Sequence, residues 1–210
     1  MNNTSSILDF SLSTPNNGTL FDTKDGQSYP VVKIGKQIWL AENFRYLPSK
    51  EKGDKYDTSC VYENNNDYLD KGYGRLYDWN TAMNIAPEGW KLPNNQDFLE
   101  LKDFVIKDNN LDDEDEVRRY LKSVNGWYTS KGIVNNDKYG FNAKPVGFYR
   151  NSYKNADFYG SDYNANFWSA TEGNNSDSAY YWYLDFNLED FNSYYDGKDY
   201  GFSVRCLKDS

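Results

Sequence analysis

The sequence predicts an α+β domain, and three observations carry that prediction. A helical period of apolar residues runs through positions 94–107, and a second through 114–123. From residue 139 onward the period falls to two, as in strands whose side chains alternate between faces. Clusters of Asn, Asp, Gly and Ser separate those alternating runs and read as turns.

The elements follow in chain order. Residues 1–20 are rich in Asn, Ser and Thr and read as a flexible linker, with 21–210 as a single domain. Residues 21–27 carry turn chemistry centred on Asp25-Gly26. Residues 29–34 and 37–40 flank Gly35-Lys36 and predict a β-hairpin, with Ile38 and Leu40 on one face and Trp39 on the other. The polar stretch 48–70, with Asn64-Asn65-Asn66, reads as a long surface loop. Residues 78–85 predict a short helix stopped by Pro87, and 90–93 an extended piece.

Asn94 caps the first long helix, whose apolar stripe is Phe98, Leu101 and Val105 with Phe104 beside it. Asp113 and Glu116 form an Asp-x-x-Glu cap for the second, in which Val117, Tyr120, Leu121 and Val124 recur at helical spacing. Farther on, Tyr180, Trp182, Leu184 and Phe186 alternate onto one face of a strand, and Tyr181, Tyr183, Asp185 and Asn187 onto the other. Residues 191–195 and 201–207 complete the strands. No tandem repeat suggests a solenoid.

Composition narrows the function classes. Hydrophobic residues are only 38% of the chain, but 20 Tyr, 12 Phe and 6 Trp supply bulk for a core. The mean hydropathy of -0.93 therefore does not imply disorder. A net charge of -9 and a pI near 4.6 disfavour nucleic acid and anionic lipid as partners. The chain has no histidine, which excludes Ser-His, Cys-His and His-metal sites built from its own residues. A Cys60–Cys206 bridge would close a long loop and contribute roughly 3–5 kcal/mol. Two free cysteines are the alternative, and spacing favours neither. No stretch reaches the ~20 apolar residues of a transmembrane helix. Residues 1–17 are polar and hold no hydrophobic run of a secretory signal.

Several aromatic, glycine-containing signatures stand in a fixed order: residues 73–79 (YGRLYDW), 87–93 (PEGWKLP), 167–172 (FWSATE) and 201–206 (GFSVRC). With residues 21–43 (FDTKDGQSYPVVKIGKQIWLAEN) at the start and 201–209 (GFSVRCLKD) at the end, the chain resembles the Fibrobacter succinogenes major paralogous domain family over residues 21–209. The resemblance implies a C-type-lectin-like fold, similar to formylglycine-generating-enzyme-type domains and to the variable proteins of diversity-generating retroelements. It also implies a secreted or surface-anchored bacterial protein. The family has no established activity. Many of its members carry a cysteine before the Pro-x-Gly-Trp motif, where this chain has Ala86.

The candidate site is a ligand-binding face on the C-terminal strands: Tyr181, Tyr183, Asp185, Asn187, Asn192, Tyr194, Tyr195 and Asp196. Rings stack on the apolar faces of sugars while amides and carboxylates read hydroxyls, and the same residue types suit a protein partner. The expected ligand is a glycan or a surface protein, and no catalytic residue is assigned. The alternative reading of these tyrosines is a second packed layer. Residues 149–163 (YRNSYKNADFYGSDY) read as a further tyrosine-rich loop. No cofactor is expected, although calcium remains open because Asp and Asn loops offer oxygen ligands. The most acidic run, 108–116, fails the EF-hand template at Asp113 and Arg119 and reads as a helix N-terminus. Two other readings stand beside the recognition module: a structural or adhesive surface domain, and a carboxylate-dependent polysaccharide hydrolase.

Overall fold

The computed structural model describes residues 10–12, 16–48, 59–128, 134–152, 155–187 and 191–209. Strands β1 (Phe10–Leu12), β2 (Asn17–Asp22), β3 (Gln27–Ile34) and β4 (Gln37–Leu40) form an antiparallel meander. Short pieces follow: β5 (Ser59–Cys60), α1 (Asp67–Asp70), β6 (Leu76–Tyr77), α2 (Trp79–Ala82) and β7 (Trp90–Lys91). Next come helix α3 (Asn95–Asn109) and the short α4 (Val117–Leu121). The last third holds β8 (Phe148–Ser152), β9 (Asn155–Tyr159), β10 (Asn164–Glu172), β11 (Ser178–Asp185), β12 (Phe191–Gly197), β13 (Phe202–Ser203) and β14 (Leu207–Lys208).

These strands make one sheet in the order β1-β2-β3-β4-β14-β7, a second in the order β12-β11-β10-β13-β6-β5, and a separate β8–β9 hairpin. Pairing between strands is antiparallel except for β10 with β13. The molecule is α+β, with mostly antiparallel sheets and a few short helices.

Local chemistry accounts for the regular pieces. Asn94 accepts from the Asp97 amide at 3.0 Å, and the Asp97 carboxylate accepts from the Asn94 amide at 2.8 Å. This reciprocal cap starts α3, and Asn110 in the left-handed region ends it. Asp78 caps α2 through the Thr81 amide at 2.7 Å.

Both sheets bury residues on each side, so alternation sorts neighbouring residues into different core clusters. Val32, Ile34 and Trp39 join Phe98, Leu101 and Val105 of α3 and Trp182, Leu184 and Phe191 in one cluster. Tyr29, Val31 and Leu40 join Trp79, Trp90, Trp168, Phe202 and Cys206 in the other. All six tryptophans are buried, as expected of rings this large. Gly201 lies against the Tyr149 ring so closely that a Cβ there would overlap it. Its role is close packing.

Four sequence expectations change. The 1–20 linker overlaps the first sheet, because β1 and β2 lie within or across it and Leu20 is buried against β3. The rest of that stretch, residues 1–9 and 13–15, lies outside the described residues, as do 49–58 of the expected 48–70 loop. Within 59–70 the chain forms β5, a 3-10 turn and α1. The second helix is shorter than its periodicity: 114–116 is a 3-10 turn, and Lys122 already has extended backbone with ψ 138°. Val124 therefore leaves the apolar stripe and is 63% exposed. The 149–163 stretch is mainly the β8–β9 hairpin, with Tyr149 buried against Phe158. Cys206 and Cys60 belong to different clusters, so no bridge joins them.

Candidate functional site

Strands β11 and β12 place the predicted site residues, and their register decides which share a face. Tyr181 pairs with Tyr194, Tyr183 with Asn192, and Ala179 with Asp196. Directly opposed residues of an antiparallel pair point the same way. Tyr181, Tyr183, Asn192, Tyr194 and Asp196 are therefore neighbours on one face. Tyr195 pairs with Tyr180 instead and faces the other side, where the two rings meet at 5.7 Å. The sequence reading grouped Tyr195 with Tyr194, and the register separates them.

The shared face is a ladder of rings. Tyr194, 45% exposed, lies 6.2 Å from Tyr181 and 6.0 Å from Tyr183, edge-on to the latter. Tyr181 continues inward to Phe202 at 4.5 Å and Trp168 at 6.5 Å. Both supporting tyrosines are half-buried. Desolvation pushes the Tyr181 hydroxyl up to about 12, with Asp196 adding to the effect. Burial and the neighbouring Asp185 carboxylate hold Tyr183 still further above the ordinary phenol range. Both hydroxyls stay protonated at neutral pH and serve as neutral donors.

The other predicted residues have structural duties. Asp185 is buried, at 7% exposure. Its Oδ2 accepts from the Tyr183 hydroxyl at 2.7 Å and from Asn164 Nδ2 at 2.7 Å, and its Oδ1 from the Asn187 amide at 2.7 Å. A carboxylate that already accepts three bonds has little capacity left for a ligand. Asn187 is exposed just beyond β11 and is tied to this network through its backbone. Beneath it, the buried Lys122 ammonium donates to the Asp185 carbonyl and sits 4.3 Å from the centroid of the Trp127 ring. Asn192 Oδ1 accepts from Lys102 Nζ at 3.0 Å.

Sequence reasoning missed a second aromatic cluster. Tyr128 and Tyr163 stack at 5.1 Å and Phe186 packs edge-on against both. The three come from distant positions, brought together by bonds from the Tyr128 amide to the Asp162 carbonyl and from the Phe186 amide to the Tyr163 carbonyl. No local pattern announces such a cluster.

The acidic run 108–116 is largely engaged in tethering. Asp108 accepts from Tyr139 and Lys138, which hold its carboxyl below the usual range. Glu114 pairs with Lys102, and Glu116 with Arg119. Among the described residues no group of three or more His, Cys, Asp or Glu is arranged to hold a metal ion. No described helix is long and apolar enough to cross a membrane.

The sequence model of the family described as Fibrobacter succinogenes major domain matches residues 32–208. The chain belongs to that family. No curated protein and no solved structure matches it.

Proposed function

We propose that this chain is a non-catalytic extracellular recognition module with a C-type-lectin-like fold, which holds a glycan on the face formed by Tyr181, Tyr183, Asn192, Tyr194 and Asp196. The observation that carries this reading is the setting of Tyr194, whose ring is 45% exposed yet fixed against two half-buried tyrosines. A ring held this way presents a flat apolar plate at low entropic cost. Asn192 and Asp196 flank it with groups suited to sugar hydroxyls. The net charge of -9 favours a neutral glycan over an anionic one on this face. The lack of histidine supports the non-catalytic assignment.

One observation favours a structural or adhesive domain instead: the closed network of Asn164, Tyr183 and Asp185 satisfies its own polar groups without a ligand. A glycan array separates the two readings, run with calcium and with chelator on wild type and Tyr194→Ala. Specific hits lost in a folded Tyr194→Ala variant support the lectin reading, and the chelator arm decides whether calcium takes part. A blank array from folded protein overturns it in favour of the structural role. Product release from a polysaccharide panel would overturn the non-catalytic assignment.

A further inference from the structure

At the far edge of the second sheet from Tyr194, near β5 and β6, lies a cleft of about 570 Å³. Its walls come from the β2–β3 turn, from residues 45–47, from the end of α1 and from Arg75. Most of its charges are already committed. Arg45 is bound to Glu42 and to the Ser28 carbonyl at 2.9 Å, and lies over the Tyr29 ring. Asp25 accepts from the Tyr29 hydroxyl and the Gln27 amide, both at 2.8 Å. Lys24 donates to the Ala86 carbonyl at 2.6 Å.

The exceptions are the exposed Asp70 and the cation Arg75. Arg75 is half-buried, and among the described residues its guanidinium has no hydrogen bond or ion pair. A guanidinium without a protein partner keeps its donors available to a ligand. Its planar fork matches a carboxylate in two parallel bonds. Tyr46 and the exposed Leu47 supply an apolar wall beside it. The volume suits one or two sugar rings. Asp25 and Asp70 also line the cleft and disfavour a doubly charged phosphate more than a singly charged carboxylate.

We infer that this cleft binds a saccharide bearing a carboxylate, a uronic acid, with the carboxylate on Arg75 and the ring against Tyr46 and Leu47. This site does not rest on the tyrosine face, and either can fail alone. Titration calorimetry at low salt tests it with trigalacturonate, its neutral galactose counterpart, acetate and inorganic phosphate. Trigalacturonate is expected to bind, with the neutral trimer and the Arg75→Gln variant each at least about tenfold weaker. Arg75→Lys, which keeps the charge and loses the fork, falls between. Lys33→Gln, which removes a positive charge from β3 outside the cleft, leaves binding unchanged. Thermal melts of the variants confirm that they are folded. Equal binding of the neutral trimer overturns the inference, as does full competition by equimolar acetate or phosphate. An Arg75→Gln variant that binds like wild type, or no heat with any probe, also overturns it.

Discussion

The two faces of strand β11 are built from alternate residues of one segment, yet they have opposite characters. On one, Trp182 and Leu184 are buried against Phe98 and Phe191, with Phe98 and Trp182 stacked at 5.3 Å. On the other, Tyr181 and Tyr183 stop at half burial. The difference lies in what each face meets. Helix α3 packs over Trp182 and Leu184 on the first, while the ring ladder on the second ends at an exposed Tyr194. The well-packed side of the strand is the one expected to carry stability, and the proposed recognition face is the other.

The largest test of that contrast is Trp182→Ala. Removing a fully packed ring leaves a cavity and is expected to cost about 3–5 kcal/mol. Chemical denaturation would read it as a large drop in midpoint. A loss below about 1 kcal/mol would mean that the covered face is not the stabilising one.

The end of the strand offers a pH test. Burial lowers the Lys122 ammonium from 10.5 to about 7, with Arg118 adding to the shift and Asp185 opposing it. The folded state therefore disfavours the proton that the unfolded chain still binds. That penalty is fully present below about pH 7 and disappears above the unfolded value, so unfolding free energy rises through the window between. Between about pH 7 and about pH 9 the gain is on the order of 2 kcal/mol. Above that range the buried Cys206 thiol, pushed up by desolvation, works in the opposite sense. Denaturation midpoints of wild type and Lys122→Met across this range isolate the lysine, because the variant should lose the slope.

A smaller effect is expected at Asp185. Asp185→Ala leaves the Tyr183 hydroxyl and the Asn164 amide without their shared acceptor, at a cost of about 1–3 kcal/mol. A near-neutral result would mean that water replaces the carboxylate and that this part of the face is more open than its burial indicates.

Much of the fold was legible wherever a signal is local. The α3 stripe, its Asn94 cap and the hairpin of β3 and β4 all follow from spacing within a few residues. The inward side of β11 was legible for the same reason. What escaped depends on partners far away in sequence. Residues 17–22 look like a linker until β3 pairs with them. The final strand closes the first sheet by pairing Leu207 with both Trp39 and Lys91. Tyr195 was misplaced because its face depends on which residue of β11 it opposes, and a one-residue change of register reverses every side chain. Asp185 read as a ligand group in part because one of its donors is the distant Asn164.

The smallest expected change in stability belongs to the residue with the largest expected effect on binding. Tyr194 projects from the ladder and contacts Tyr181 and Tyr183 from outside, so Tyr194→Ala should move stability by no more than about 0.5–1 kcal/mol. If the exposed ring is the sugar platform, the same change should weaken glycan binding at least about tenfold, since a stacked aromatic is worth one or more kcal/mol. Tyr195→Ala supplies the internal control. That ring is about equally exposed but lies on the opposite face, so its removal should leave binding unchanged. Equal losses in the two variants would show that exposure alone, and not membership of the ladder, selects the binding residues.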